Sequence, residues 1–211
     1  MEFLDEKILA LRNEMREQER HEEAIQAEAV SEVDLTQDLI VINNKAVKVK
    51  TVTLLNGNIT LRMPALFFEM PKELAALKYP SEQRPNIIFT DESTTVNLAF
   101  SLTTMELTDD EVEQFRDEMM EGMEQMQPNL QWLDIGIRSV QDKLISYFMV
   151  ITPAIDSDMY NLMFFCSISN YALISTFNCL EEDLDIWKPV ALGIIDSIQF
   201  AQGQDGGGIV R

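Results

Sequence analysis

The sequence is short of the residues that most often carry catalysis. It contains one histidine and two cysteines in 211 residues. A zinc site usually draws on several Cys and His ligands, and a cysteine nucleophile needs a histidine beside it. The phosphate-binding patterns G-x-x-x-x-G-K-[ST] and G-x-G-x-x-G are absent, as is a G-x-S-x-G elbow. We therefore expect no metal, no cofactor and no enzymatic activity.

Basic residues are scarce too. Asp and Glu number 36 against 16 Lys and Arg, which gives a net charge of −20. This charge would repel phosphate backbones and anionic lipid surfaces, so we expect neither nucleic acid nor a membrane as partner. A protein partner that is basic or carries an apolar segment fits better. The charge opposes self-association, but the sequence leaves both monomer and homodimer open.

A long uncharged run raises the question of a membrane span. Residues 159–180 contain no charged side chain, and this length would cross a bilayer. Three asparagines lie within the run, and Ser169-Asn170 in its middle is typical of a turn, so we expect a β-hairpin. The first residues have neither the basic region nor the apolar stretch of a secretion signal. The sequence therefore predicts a cytoplasmic protein.

Residues 1–31 differ in composition from the rest. They contain no Gly or Pro, and nine acidic residues are interleaved with four basic ones, which is typical of a helix. Apolar residues recur there at spacings of three and four, as in a coiled coil, with two polar interruptions. Two interpretations stay open: a helix packed on its own domain, or a coiled coil or docking arm for a partner. The positions of this N-terminal seam are Leu4, Ile8, Leu11, Met15, Gln18, Glu22, Ile25 and Ala29.

Strand patterns begin near residue 46, after a predicted linker or first turn at 32–45. Val and Thr dominate Val47–Leu55, and Asn56-Gly57 is a strong hairpin signal. A turn there places Leu54 opposite Ile59 in the predicted register. Further elements predicted in this half are a short helix at 71–78 and strands at 86–90 and 96–102.

The clearest helix begins after Thr108, which forms a capping box with Glu111. Pro128 is expected to end it. One apolar stripe runs along it, and Met120 lies off this stripe, so we expect Met120 to be exposed. The members of the stripe are Val112, Phe115, Met119, Met123 and Met126.

Four strands are predicted next, at about 131–139, 143–152, 159–168 and 171–179. A turn at Ser169-Asn170 puts large apolar side chains, including Phe164 and Phe165, on both faces of the last hairpin. A sheet with one wet face would alternate cleanly, so we expect both faces to be covered. The same register separates Cys166 from Cys179 by roughly 20 Å. A disulfide needs Cα atoms within about 7 Å, so two free thiols are predicted.

A final helix is predicted from about residue 185, with Pro189 in its first turn, where a missing amide hydrogen removes no bond. Its buried face consists of Leu184, Trp187, Ala191, Ile194, Ile195 and Ile198. Residues 201–211 are glycine-rich and predict a flexible tail. Asp156 and Asp158 are interpreted as turn residues, because no further ligands follow at calcium-loop spacing.

Several of these segments together resemble the end of the PsbP-like and DcrB-like superfamily, which also includes a yeast Ran-binding protein. They are Tyr160 to Phe165, Leu173 to Cys179, Trp187-Lys-Pro189 and Asp196-Ser-Ile198. The resemblance covers about residues 46–200. It implies a single α+β domain in which an antiparallel sheet of about six to eight strands is sandwiched between helices. It also implies non-catalytic work, since members bind other proteins and some cytoplasmic bacterial members are chaperones or adaptors.

These observations predict a non-catalytic protein-binding module, an adaptor or chaperone. The binding surface is expected at Leu4, Ile8, Leu11 and Met15 of the N-terminal seam, or at an apolar groove around Met120. The alternative is a small-molecule binding domain with a pocket between the sheet and the helices. Its predicted lining consists of Trp132, Tyr147, Tyr160 and Trp187.

Overall fold

The computed structural model describes residues 33–81, 84–127, 129–154 and 156–201. The predicted N-terminal helix with its seam lies outside these residues, as do Pro128 and all but the first residue of the predicted tail. The described part is an α+β structure. Its elements are β1 (Leu39–Ile42), β2 (Lys45–Leu54), β3 (Ile59–Pro64), β4 (Phe68–Glu69), α1 (Lys72–Lys78), β5 (Ile87–Thr90), β6 (Asn97–Glu106), α2 (Val112–Met126), β7 (Gln131–Val140), β8 (Lys143–Thr152), β9 (Met159–Ile168), β10 (Tyr171–Leu180), α3 (Leu184–Asp196) and β11 (Gln199–Phe200).

The hairpin registers predicted from the turns are confirmed. Leu54 lies opposite Ile59 in the β2–β3 pair. Ser169 and Asn170 adopt left-handed φ angles of 53° and 65°, as a two-residue turn between right-twisted strands requires. Phe165 consequently lies opposite Ile174 in the β9–β10 pair.

The strands form two antiparallel sheets rather than one. The larger sheet has seven strands in the order β4-β5-β6-β10-β9-β8-β7, and the smaller has four in the order β1-β2-β3-β11. Part of the predicted linker at 32–45 is a strand, because Ile40 and Ile42 of β1 are buried in the core. Asn43 and Asn44, with φ angles of 47° and 59°, form the tight turn that returns the chain into β2.

Buried apolar clusters lie on both faces of the larger sheet. The face that carries Phe164 packs with the smaller sheet and with α3 in the main core. The opposite face carries Phe165, which packs with residues of α2. A third, small cluster joins α1 to Met70 and Ile88 near the β5 end of the sheet. Adjacent residues of β9 thus serve different cores, which explains why this strand is apolar on both sides.

The helix boundaries follow the sequence signals closely. Thr108 and Glu111 make both bonds of the predicted capping box, ahead of a short 3₁₀ turn that leads into α2. α3 begins at Leu184 and buries most of its residues, but Pro189 is its sixth residue and therefore lies in the second turn, not in the first turn as predicted. None of the helices in the described part of the chain is long and apolar enough to cross a bilayer.

The two cysteines are free and buried, as the register predicts. Burial raises the pKa of Cys166 to about 12 and that of Cys179 to about 12. Both side chains are therefore neutral in the folded protein under ordinary conditions. Because the thiolate is the reactive form, neither side chain is expected to act as a nucleophile.

These pKa values predict a loss of stability at alkaline pH. Below about pH 9 both thiols are protonated in the folded and the unfolded chain, so their contribution to stability is fully present. As the pH rises from 9 toward 12, only the unfolded chain releases these protons, and the free energy of unfolding falls. Urea denaturation on either side of pH 9 measures the slope. Tyr160, whose pKa is also raised by burial, acts in the same direction.

The matched variant for this prediction is Cys166→Ala, which removes one of the buried thiols. We expect its stability to fall less steeply above pH 9 than that of the parent protein. Equal slopes for the two proteins would contradict the assignment of this pH dependence to Cys166.

Candidate functional site

Helix α2 packs on strands β8 and β9 through an aromatic cluster. The Phe115 ring meets Phe165 edge-on, with 5.6 Å between the ring centroids. Phe148 contacts Phe165 at 5.6 Å and Trp132 at 5.3 Å. Interlocked rings of this kind hold a helix in a defined position, so α2 is a fixed element of the surface.

The methionines of α2 differ from the sequence prediction in their exposure. Met119, Met120 and Met123 are all half-buried against this cluster. Met126, which belongs to the predicted apolar stripe, is 76% exposed. The expectation that Met120 stands out in solvent is wrong, because this side chain lies on the flank of α2 that turns toward β7. Met126 is exposed because it lies in the last turn of the helix.

Two contacts define the flank of α2 that faces β7. Arg116, only 8% exposed, donates from its guanidinium to the carbonyl of Gly136 on β7 at 3.4 Å. It also donates to Asp117 at 2.8 and 2.9 Å. Two turns further along the helix, the Trp132 indole N–H donates to Glu124 at 2.7 Å. Met120 lies between these contacts by helical spacing.

Strand β7 is the outermost strand of the larger sheet, and it carries exposed apolar side chains. No strand among the described residues pairs with its outer edge. Leu133, Ile135 and Ile137 are 38%, 47% and 40% exposed. The register shifts between Trp132 and Asp134, so Leu133 is the extra residue of a β-bulge. Exposed apolar residues on a sheet edge are usually avoided, because they invite pairing with another chain.

The helix beside this strand is strongly acidic. Helix α2 contains five acidic residues and one basic residue, Arg116. By helical spacing, Glu113, Asp117 and Glu124 lie on the flank of α2 that faces β7, and all three are exposed. These carboxylates together with Ile135 and Ile137 are here called the α2–β7 surface.

The four aromatic residues of the predicted ligand pocket do not lie together. Trp132 packs in the α2 cluster, whereas Tyr147, Tyr160 and Trp187 belong to the core on the other face of the sheet. The ring of Tyr147 fills the space where a side chain at Gly136 would lie, since its hydroxyl is 2.3 Å from an ideal Cβ there. Tyr147 thus covers the glycine of an edge strand.

The cavities described by the structure are shallow, and none of them brings the four predicted residues together. One of about 340 Å³ is lined by Trp132 with Glu124, Gln127 and Leu130. Two larger ones, of about 540 and 430 Å³, lie beside α1 and beside the end of α3. Tyr147, Tyr160 and Trp187 line none of these three.

The acidic loop between β8 and β9 behaves as a turn. The Asp158 carboxylate accepts a hydrogen bond from the backbone N–H of Ala154 at 3.2 Å. Within the described residues, no group of three or more His, Cys, Asp or Glu side chains is arranged to hold a metal ion.

The exposed residues of β7 are the part of the surface that sequence reasoning missed. The segment from Trp132 to Arg138 alternates as a strand with one buried face, which suggests that Ile135 and Ile137 are buried. The glycine at position 136 is the one local sign of an unusual position in the sheet.

No family model matches the sequence, and no curated protein matches it. Solved structures match the fold. The cyanobacterial PsbP (CyanoP) of Synechocystis aligns with a TM-score of 0.54 at 10% identity, over 72% of this chain and 92% of that one. LpqN of Mycobacterium tuberculosis, described as involved in cell envelope biogenesis, aligns with a TM-score of 0.51 at 12% identity, over 76% of this chain and 95% of that one. These identities show the fold alone, and the chain has the PsbP-like fold that the sequence resemblance predicts.

Proposed function

We propose that this chain is a non-catalytic protein-binding module of the cytoplasm, an adaptor or chaperone, and that its partner binds at the α2–β7 surface. The observation that carries the proposal is the exposure of Ile135 and Ile137 on an outermost strand beside an acidic helix. With α2 and α3 against opposite faces of the larger sheet, the α/β/α arrangement gives this surface a rigid support.

The composition of the α2–β7 surface fits a protein interface. Protein interfaces commonly have an apolar centre surrounded by a polar rim. Here Ile135 and Ile137 supply the apolar centre, and the α2 carboxylates supply the rim along one side. The acidic rim and the net charge of −20 favour a basic partner, because complementary charge speeds encounter and rejects acidic competitors.

Site-specific photo-crosslinking tests this proposal. A photoreactive amino acid at Ile137 is expected to give a discrete crosslinked partner in the native cytosol. The matched control is the same amino acid at Thr53, which is also exposed but lies on the smaller sheet. Adding Ile135→Lys to the Ile137 probe should remove the product, because a charge then replaces part of the apolar centre. Identical products at both positions, or none at Ile137, would count against this surface.

The N-terminal seam remains a second predicted contact. The same Ile137 probe in a chain that begins at Ser31 separates the two sites. If the crosslinked partner persists, the α2–β7 surface binds it without Leu4, Ile8, Leu11 and Met15. If the product disappears while the shortened protein stays folded, the seam is needed for binding.

A further inference from the structure

We infer that the partner of the α2–β7 surface is an extended segment of basic and apolar residues that adds to the outer edge of β7 as an extra strand. This inference rests on the proposed function, and it specifies both the chemistry of the partner and its mode of binding. Strand addition is a general way for a sheet edge to recognise a peptide.

The backbone of β7 has hydrogen-bonding groups available at this edge. The N–H of Ile135 donates to the carboxylate of Asp134 at 2.8 Å, so it points away from the neighbouring strand β8. In an antiparallel pair, alternate residues direct their N–H and C=O groups to the same side. Ile137, two residues further on, therefore also presents its backbone groups to the outer edge.

The same two residues present their side chains next to that edge. Ile135 lies opposite Phe148 in the β7–β8 pair, on the face of the sheet that α2 covers. A strand added at the edge would place alternate side chains beside Ile135 and Ile137, where apolar groups would bury the exposed surface. Backbone pairing and apolar burial thus occur at the same positions.

Charge selects the occupant of the edge. Asp134 stands at the edge itself, and Glu113 and Asp117 lie on the adjacent flank of α2. A second copy of this chain would place its own Asp134, Glu113 and Asp117 near those of the first copy, and the like charges would repel each other. Residues 1–31 are also net acidic, with nine acids and four bases. Asp134 lies opposite Met149, on the face of the sheet away from α2. Lysine or arginine side chains that alternate with the apolar ones would therefore pair with Asp134, while the carboxylates of α2 attract them at longer range.

Asp134 protects the edge until a partner arrives. Its carboxylate accepts the hydrogen bond of the Ile135 N–H. An uncharged strand that pairs with this N–H would displace the carboxylate and offer it no new partner. A basic residue in the added strand would form an ion pair with the displaced carboxylate. Charged side chains on edge strands commonly prevent unwanted pairing, and here the same group favours a basic segment.

The test uses the full chain and a short synthetic peptide in which lysine alternates with valine. Binding is followed by the fluorescence of Trp132, which lies at this surface, and the variant Trp132→Phe should abolish the signal. A peptide with N-methyl groups along its backbone keeps the side chains but removes its pairing donors. We expect it to bind about tenfold more weakly or worse. Replacing its lysines by glutamates should abolish binding.

Amide hydrogen exchange gives a direct readout of strand addition. Saturation with the peptide should slow exchange of the Ile135 and Ile137 amides, and it should leave the Thr53 amide of the smaller sheet unchanged. On the protein side, Ile137→Pro removes one outward donor, which an edge strand tolerates, whereas Ile137→Val keeps it. The proline variant should lose peptide binding. If the proline variant does not fold, Asp134→Lys provides a second test, and it should also lose binding of the lysine peptide.

The outcomes separate this inference from the proposed function. Equal binding of the plain and N-methylated peptides would overturn strand addition, while the crosslinked partner at Ile137 would still support the surface. Equal binding of lysine and glutamate peptides would overturn the basic partner. If raising the protein concentration without peptide slows amide exchange at Ile137, the protein self-associates through β7. That result would overturn the basic peptide as the occupant in favour of a second copy of this chain.

Discussion

Phe165→Ala is expected to lower the free energy of unfolding by about 3–5 kcal/mol, the range for removing a large buried aromatic side chain. Phe165 is 0% exposed and contacts the rings of both Phe115 and Phe148. Its loss leaves a cavity between α2 and the sheet that neither neighbouring ring can fill. Urea denaturation measures the change.

The control for this variant is Phe68→Ala, which removes the same ring from β4, where Phe68 is 40% exposed. We expect it to cost about 1 kcal/mol or less, because a side chain that is already partly in water gains less from burial. Similar losses for the two variants would contradict the placement of Phe165 at the centre of the α2 cluster. Peptide binding by Phe165→Ala should also weaken, because α2 supports the acidic side of the surface.

Gly193→Ala and Gly122→Ala are expected to change stability in opposite directions. A Cβ at Gly193 in α3 would lie 2.2 Å from the backbone carbonyl oxygen of Val33. The backbone at one of these two residues must therefore move, and we expect the free energy of unfolding to fall by about 1–3 kcal/mol. A Cβ at Gly122 in α2 meets nothing within 4 Å. Alanine there should add about 0.5–1 kcal/mol, the helical preference for Ala over Gly.

The melting temperatures of the two glycine variants measure this difference. A gain at both positions would mean that the segment at Val33 leaves α3 without cost. A loss at Gly122 would mean that the outer side of α2 is packed against something.

Local signals were enough to predict the hairpins. At Ser169-Asn170 the turn requires left-handed backbone at two positions, and only one register then places like residues opposite each other. The capping box at Thr108 and Glu111 likewise involves only residues close in sequence. Pairs and caps of this kind can be predicted from sequence because the chain determines them over a few residues.

The assignment of strands to sheets could not be predicted in this way. The β2–β3 hairpin has the same pairing whether it extends the larger sheet or starts another one. β1 is not predicted because Leu39–Ile42 is short and because its turn, Asn43-Asn44, lies in the segment whose sequence predicts a linker. Its partner choice depends on burial of Ile40 and Ile42 in a core built from distant elements.

The exposed part of the candidate site also depends on long-range packing. The alternation around Ile135 and Ile137 is the same whether a helix covers them or not. Because α2 lies over β8 and β9, it reaches β7 through the side chains of Arg116 and Glu124 and leaves Ile135 and Ile137 partly in solvent. The half-buried position of Met120 has the same origin, since the flank on which it lies turns toward β7.

The pairing of β11 with β3 has a consequence for the order of folding. Strands β7, β8 and β9 each pair with the next strand along the chain, so these contacts can form as soon as each hairpin is synthesised. The smaller sheet differs, since Phe200 pairs with Ile59, and the N–H of Ala201 donates to the carbonyl of Asn58 at 2.9 Å. Both contacts need a segment that leaves the ribosome after every other described element. Until then the edge of β3 at Ile59 and Thr60 is unpaired and available to chaperones and to other nascent chains.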